Sequence, residues 1–417
     1  MHVLLIHQLF VLGREAGGTR HVELARHLAR AGDRVTVIAS PVSYLTGRAH
    51  PSGERSGEVE PGITLLRAWT LRPRRQSFPG RVLSFVSFAA SSTLAALRTP
   101  GVDVVWGTSP PLFQALGALL VARLRGVPFV LEIRDLWPDF AVQLGVLRSR
   151  WMIAAARFAE RLVCRQADRV IVNSPGFVPH VVALGVDPAR VALVPNGVEV
   201  DDFDPTERGG AFRRELGIGA GDVLVVYTGA QGEPNDLGVV LEAAARLKDR
   251  ADIHFALVGD GRAGEALQDR AKELGLARVT FVPPRPKAAM PEVLAAADVC
   301  LAILKPIPLF DTTYPNKVFD YMAAGRPTVL AIDGVIRRVV EEAGGGVFVP
   351  PGDGAALARA VVRYADDAGL RARHGKAARR AVERSFRREQ HARRLRQVLR
   401  QAGVGSGPAA RSVGGVD

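Results

Sequence analysis

"DTTYPNKVFDYMAAGRPTV", Asp311 to Val329, holds a helix and the opening of the strand that follows it. Pro315 suits a first helical position, Val318, Phe319 and Met322 recur at helical spacing, and Gly325 before Arg326-Pro327 is a stop signal. A helix is expected to begin near Tyr314-Pro315, and the apolar run "PTVLAI" behind it has strand length. Helix then buried strand is half of a βαβ unit. One residue does not suit its place. Lys317 falls in the first turn, where unpaired N–H groups and the positive end of the helix dipole disfavour a cation. Asp320 lies on the same face a turn later, but Lys preceding Asp is the weaker order for a helical ion pair. An anion beside the helix start would satisfy both the lysine and the N–H groups, turning the conflict into a phosphate-binding device. The other reading is a solvated lysine loosely paired with Asp320, worth about 0.3 kcal/mol.

The same alternation extends in both directions. Upstream run "HVLLIH", a helix from Thr19 to Arg30, "RVTVIAS", "VDVVWG", a helix from Leu112 to Arg125, "PFVLEIRD", a helix near Trp151 to Gln166, and "DRVIVNS". These strands are apolar on both faces, which implies a parallel sheet covered by helices. After the polar stretch "NGVEVDDFDPTERGG", read as a connector, the rhythm restarts with "DVLVVYTGA", a helix from Leu237 to Lys248, "IHFALVGDG", "RVTFVPP", "DVCLAIL", "PTVLAI" and "GGVFVPPGD". The expected fold is α/β, two Rossmann-like doubly wound parallel-sheet domains facing each other across a cleft, with ligands beyond the carboxyl ends of the strands. The expected division is a first domain over 1–200, a second over 201–385, a helix over 386–402 packing back on the first, and a disordered tail over 403–417. That tail, "GVGSGPAARSVGGVD", has too little apolar surface to fold.

The 417 residues, 47% of them hydrophobic, suffice for two cores. Lys and Arg number 55 against 42 acids, a net charge of +13 that attracts phosphates, nucleic acid or anionic lipid without choosing among them. Cys164 and Cys300 match no zinc or redox spacing, which argues for a reducing compartment and against a disulfide framework. "MHVLLIHQLFVLG" has neither a basic start nor a small-residue cleavage pattern, so it reads as a strand rather than a signal peptide. No apolar run is judged to reach the roughly 18 residues of a spanning helix. A soluble or peripheral, cytoplasmic protein is expected, with a place at the inner face of the cytoplasmic membrane as one form of it.

"PNKVFDYMAAGRPTV" resembles the P-x-K-x-x-E-Y-M-A-x-G-x-P-V segment of bacterial retaining glycosyltransferases of family 4, which have the architecture called GT-B. "AGGTRHVELARHLARAGDRVTVIAS", "EIRDLWPD", "VPNGVEVDDFDP", "GAQGEPNDL" and "MPEVLAAADVCLA" agree in the same order, so the likeness spans most of residues 1 to 385. It is closest to transferases that build O-antigen, capsule and similar surface polysaccharides. The resemblance implies a nucleotide-diphosphate-sugar donor as co-substrate, no further cofactor, no metal, and a sugar or lipid-linked sugar as acceptor. It also implies that Asp320 contacts the nucleotide ribose while Asn316 and Lys317, opening the helix, hold the diphosphate. A carboxylate is a pure acceptor suited to paired hydroxyls, and a compact ammonium suits a phosphate oxygen.

Other candidates follow from position. Gly17 and Gly18 in "GREAGGTR" let backbone approach a diphosphate or acceptor, flanked by Arg14 and Arg20, for which a solvated surface role is the alternative. "EIRDLWPD" closes an apolar strand with charge; Asp135, with Asp139 and Glu132 beside it, is the candidate for an acceptor hydroxyl, against a plain Arg134–Asp135 turn. On the donor side stand Gly229, Asn235, Arg285 and Thr312, the last where the family carries an acid eight positions before Asp320; adjacent Asp311 is the substitute. Gln231 and Asn235 stand where relatives carry Arg and Lys, which shifts diphosphate stabilisation toward Lys317 and the helix start. "GDG" at Gly259 to Gly261 reads as a turn, and "DDFD" at Asp201 to Asp204 reads as a turn rather than a metal site.

Arg67, Arg72, Arg74, Arg75, Arg81 and Arg98 occupy a stretch without acids, interleaved with Trp69, Phe78, Phe85 and Phe88. Such a segment suits an anionic membrane, each cation adding about 1 kcal/mol near the surface, and equally suits a solvated loop with an amphipathic core helix. Three rival functions share some of these features. A GT-B epimerase needs histidine–carboxylate acid/base pairs, which are not found, and an oxidoreductase needs a full G-x-G-x-x-G, which does not follow the first strand. A non-enzymatic nucleic-acid or membrane binder fits the charge, but no RNA- or DNA-binding motif appears. Transfer to a small-molecule natural product is the alternative within the same chemistry.

Overall fold

Strand β1 (His2–Ile6) is buried at every position, as its unbroken apolar run requires. It stands at the centre of an eight-stranded sheet in the computed structural model, which describes residues 1–13, 17–42, 56–72 and 78–404, with the side chains of 78, 79 and 404 excepted. Arg14, Arg74, Arg75, the Phe78 side chain and nearly all of the expected tail lie outside the described residues. Two compact units divide the chain. One comprises Met1–Val11, Gly18–Pro195 and the chain from Glu389 on; the other comprises Asn196–Arg388 with the short segment Leu12–Gly17.

The first domain adds β2 (Arg34–Ala39), β3 (Gly57–Glu60), β4 (Ile63–Arg67), β5 (Val104–Ser109), β6 (Phe129–Ile133), β7 (Arg169–Val172) and β8 (Val191–Leu193). Their order is β3-β4-β2-β1-β5-β6-β7-β8, parallel except where β3 turns back on β4. Register is fixed by apolar pairs such as Leu5 with Val37 on one side and with Trp106 on the other. Helices α1 (Arg20–Arg30), α2 (Phe78–Arg98), α3 (Leu112–Arg125), α4 (Asp139–Gln143), α5 (Arg150–Gln166) and α6 (Val178–Ala183) connect the strands. Gly126 ends α3 in the left-handed conformation, φ 66°, that a glycine C-cap adopts.

Among the described residues α2 is the one helix long and apolar enough to cross a membrane, over Gly80–Arg98, which corrects the expectation that no run reaches that length. Its inner side is nonetheless committed to the domain. Phe88, Ser92 and Ala96 are buried, and α2 runs so close to α3 that a Cβ on Gly117 would sit 2.6 Å from Thr93 Oγ1.

The second domain has β9 (Val223–Thr228), β10 (Ile253–Val258), β11 (Val279–Val282), β12 (Val299–Ile303), β13 (Thr328–Ala331) and β14 (Gly346–Phe348), all parallel, in the order β11-β10-β9-β12-β13-β14. This is the dinucleotide-fold order, with its switch point between β9 and β12. Alternate residues of β9 face opposite cores, Leu224 and Val226 one, Val225 and Tyr227 the other. The helices are α7 (Gly210–Glu215), α8 (Gly238–Arg246), α9 (Gly264–Glu273), α10 (Met290–Ala296), α11 (Asn316–Ala323), α12 (Val335–Ala343), α13 (Gly354–Asp366) and α14 (Ala368–Ser385).

The stretch read as a connector does more than connect. Its Val198, Val200 and Phe203, with Phe212 just beyond it, enter the second core, and Val198 exchanges backbone hydrogen bonds with Phe386 and Arg388. The final helix, α15 (Arg388–Val404), belongs from Glu389 on to the first domain, where Arg396 Nε donates to Asp33 Oδ2 over 2.6 Å.

Candidate active site

At the end of β9 the chain reaches Gly229, whose φ of 134° is one that L side chains rarely adopt. A Cβ there would stand 2.9 Å from Lys317 Nζ. Glycine thus clears the space into which Lys317 reaches across the switch point. The ammonium lies over the Tyr227 ring, 3.9 Å from its centroid, a cation–π contact. Protein atoms close round it and push its pKa down to about 7.

Lys317 is the second residue of α11, and no side chain caps that helix; Pro315 precedes it with extended backbone. The buried face of α11 carries Val318, Phe319, Tyr321 and Met322 into the core. Tyr321 Oη accepts from Thr228 N at 3.0 Å, locking the helix to the last residue of β9. That bond and the apolar face fix the position of an ammonium beside an uncapped helix start and a bare glycine backbone. A cation, free helix N–H groups and bare backbone in one place have the chemistry to accept an oxyanion.

Asp320 does not pair with Lys317. Lys287, just beyond β11, donates to Asp320 Oδ1 from 2.5 Å and lies 5.7 Å from the Phe203 ring centroid. Thr312 turns its hydroxyl inward, donating to Leu309 O at 2.6 Å, and ends a 3-10 turn over Pro308–Thr312. The Asp311 carboxyl is raised by burial and by the neighbouring charge of Asp333. Asn316 is exposed at the head of α11, and Asn235 closes the 3-10 turn Glu233–Asn235. Gln231 is buried and spends its amide on Gly259 O and Leu257 O, 3.1 and 3.3 Å away, so it braces the β9 and β10 loops together. The Arg285 guanidinium is bonded to Glu215. In "DDFD", Asp204 accepts from Thr206 N and Oγ1, the turn the sequence suggested.

In the first domain the carboxyl ends of β1, β5 and β6 carry a second polar cluster. Glu132 is fully buried and accepts from Arg20 Nε at 2.8 Å and His21 Nε2 at 2.9 Å. Burial alone would raise its pKa; Arg20 and His21 hold it well below the usual carboxylate range. Arg20 also donates to Pro195 O and Val194 O, each at 2.7 Å, which binds the head of α1 to β6 and to the chain leaving β8. It is neither a solvated arginine nor a free charge for a ligand. The rings of His21 and His7 lie 4.0 Å apart, and His7 Nδ1 is 2.9 Å from Thr108 Oγ1. Burial lowers the pKa of both histidines, with Glu132 pulling His21 the other way.

Asp135, three residues beyond Glu132, is reached by solvent, yet surrounding protein pushes its carboxyl up to about 6, with adjacent Arg134 pulling the other way. Three side-chain atoms at neighbouring strand ends, Gln8 Oε1, Arg134 Nε and Asn173 Oδ1, are buried without a hydrogen-bond partner. Such groups are costly unless something polar meets them. Asp139 pairs with Arg157 at 3.0 Å. Gly17 takes a positive φ of 156°, and a Cβ on Gly18 would meet nothing within 4 Å, so the backbone there is open to a ligand.

Of the residues singled out in the sequence, the structure brings Lys317 against Gly229 at the start of α11. It directs Thr312 and Arg285 to partners of their own. Sequence reasoning missed Lys287, Tyr227, Tyr321, His7 and His21. The histidines had a signal: each is a polar residue at the edge of an apolar strand or helix face.

Residues 16–197 match the family described as Glycosyl transferase 4-like domain, and residues 222–367 match Glycosyl transferases group 1. A protein of Escherichia coli bearing the name colanic acid biosynthesis glycosyl transferase WcaI is 30% identical over 75% of this chain and 78% of its own length. The chain belongs to glycosyltransferase family 4. This glycosyltransferase is also 32% identical to the D-inositol 3-phosphate glycosyltransferase of Geodermatophilus obscurus, over 84% of this chain and 78% of that one. Its fold is that of HepE from Anabaena, solved with UDP-glucose, at a TM-score of 0.72 and 18% identity, covering 96% of this chain and all (100%) of the other. The glycosyltransferase thus has the GT-B architecture, built from two Rossmann-like parallel-sheet domains.

Proposed function

We propose that this glycosyltransferase moves a sugar from a nucleotide-diphosphate sugar to an acceptor hydroxyl with retention at the anomeric carbon. Its place in this reading is the building of a cell-surface polysaccharide on the cytoplasmic face of the membrane. The observation that carries the reading is the contact of Lys317 with Gly229 at the uncapped head of α11. Asn316, Lys317 and the Gly229 backbone receive the diphosphate, while Asp320 accepts from the ribose hydroxyls, displacing Lys287 from one oxygen. Asn235 and Arg285 border the donor, and Thr312, its hydroxyl held by Leu309 O, stands at the position of the family's first acid. Gly17 and Gly18 give the acceptor or diphosphate close access to backbone, and Asp135 takes the acceptor hydroxyl.

Negative charge grows on the departing diphosphate as the glycosidic bond breaks, so donors aimed there favour the transition state over the bound donor. Lys317 and the α11 N–H groups supply that stabilisation, and the reaction in this reading runs without a metal. Front-face delivery of the acceptor hydroxyl asks for no protein nucleophile. The relative named for colanic acid biosynthesis supports the polysaccharide setting. The relative named for inositol phosphate favours a second reading, transfer to a small phosphorylated alcohol.

A thermal-shift panel of UDP-, GDP- and dTDP-sugars, with and without EDTA, tests the donor site, because a ligand preferring the folded state raises Tm. A shift with one nucleotide series that survives EDTA is expected, followed by α-configured product from an α-configured donor. No shift from any nucleotide-sugar in a folded sample would remove the reading.

A further inference from the structure

Helices α2, α3 and α5 form one layer on the first domain's sheet, α3 lying between the other two. Arg125 Nη2 ties α3 to the end of α2 through Leu97 O at 2.7 Å, and Arg123 Nη2 ties it to α5 through Gln166 O at 2.9 Å. The inner sides of this layer are buried as expected. Its outer side is apolar as well. On α2 the exposed positions Leu83, Val86, Ala90, Leu94 and Leu97 repeat at intervals of three and four, an unbroken stripe along the helix. Leu120 and Leu124 continue the surface on α3. On α5, Trp151 is 87% and Phe158 70% exposed, one face of the helix two turns apart. Single exposed apolar residues are ordinary; a run across three adjacent helices marks a surface that meets something apolar.

Charge identifies what it meets. The three helices hold a single acid, Glu160, which is buried against His180 at 2.9 Å. Arg98 at the end of α2, and Arg150 and Arg161 on α5 beside Trp151 and Phe158, are exposed cations of the same helices. An apolar face with a tryptophan at its edge and cations around it is the pattern of an interfacial surface. A second copy of the chain is the poorer occupant, since a two-fold contact would set this arginine rim against itself. We infer that the outer face of α2, α3 and α5 docks on an anionic lipid bilayer, the apolar stripe entering the headgroup boundary and the arginines meeting lipid phosphates. This deepens the membrane setting proposed above and moves it from the 67–98 segment alone to a three-helix surface. Phe88, one of the aromatics of that segment, points into the core instead.

Flotation with vesicles tests it without any sugar transfer, so failure of the donor-site reading leaves the result intact. The whole enzyme is expected to float with phosphatidylglycerol-containing vesicles at least tenfold better than with pure phosphatidylcholine, and less well as salt rises. The triple variant Leu94→Glu, Leu120→Glu, Phe158→Glu alters only exposed side chains, so its Tm is expected within about 2 °C of the parent and its binding reduced tenfold or more. Trp151 emission should shift to the blue on vesicle addition and vanish from the difference in Trp151→Phe. Equal flotation of the triple variant, equal binding to neutral vesicles, or a concentration-dependent dimer that the triple variant dissolves would each overturn the inference.

Discussion

Lys287 holds Asp320, its Nζ 2.5 Å from Oδ1, although the helical neighbour Lys317 lies only three positions away in sequence. The carboxylate is therefore oriented from another loop, while Lys317 is free to turn toward Gly229. Asp320→Ala is expected to raise the Kd of the donor nucleotide about tenfold or more, a charge-assisted hydrogen bond being worth roughly 1.5–3 kcal/mol. Lys287→Ala should change it less than about fivefold, since a partly solvated pair contributes about 1 kcal/mol at most. Titration calorimetry of both variants with the nucleoside diphosphate separates the two; equal losses would mean that Lys287 itself binds the ligand.

Lys317 titrates near the working pH because burial pushes it down to about 7 from an ordinary 10.5. A diphosphate prefers the charged form, so binding takes up a proton and affinity should fall as pH rises from about 6 to 9. Lys317→Met should flatten that profile and weaken binding about 30-fold or more. The folding linkage has the opposite direction. Between about 7 and 10.5 the unfolded chain binds more protons at this site, so its cost to the free enzyme is fullest below 7 and fades as pH rises. Unfolding of the ligand-free enzyme and of Lys317→Met, followed from pH 6 to about 10, checks the sign.

Gly229→Ala would place a methyl 2.9 Å from Lys317 Nζ on backbone at φ 134°. Strain of about 1–3 kcal/mol and displacement of the ammonium should appear together, as a lower Tm and a loss of nucleotide affinity near that of Lys317→Met. Retained affinity with lowered Tm would disconnect the glycine from the ligand.

Glu132 and Arg20 form a buried pair, and truncating one partner strands the other. Glu132→Ala should cost about 3–5 kcal/mol in urea unfolding, far more than an exposed pair such as Arg270–Glu273. The loss should be one of stability, with the surviving folded fraction still binding nucleotide.

Asp135, pushed up to about 6, should place an acid limb near that pH in kcat/KM as the carboxylate becomes available. Asp135→Asn is expected to remove the limb and lower kcat about 100-fold while leaving Tm and nucleotide affinity close to the parent. A limb that survives the substitution belongs to another group.

The fold was legible because both sheets are buried on two faces. Runs such as "HVLLIH" and "DVLVVYTGA" have no polar alternation to mislead, and the helices between them carry clear stops such as Gly126. Lys317 stood out for a different reason: it contradicts its own helix, and the structure turns it away from Asp320 to Gly229 and the Tyr227 ring. Arg20 and Lys287 did not, because nothing local distinguishes a surface cation from one that crosses the domain to a carboxylate 112 or 33 positions away. The outer stripe of α2 was hidden too. Its inner and outer faces are both apolar, so periodicity shows a helix without saying which side is covered.

The placement of α15 has a consequence for how the chain is made. Asp33, at the foot of β2, is closed over by Arg396, with Arg400 3.9 Å away, and both arrive only after the whole second domain has been synthesised. The second domain, continuous from Asn196 to Arg388 apart from one short segment, has nearly all its parts in hand while the first still lacks its last helix. On the ribosome the earlier-made domain is thus the later-completed one. It waits with part of its core uncovered through about 200 residues of further translation, some 10–40 s at usual synthesis rates, the interval in which a holding chaperone has most to protect.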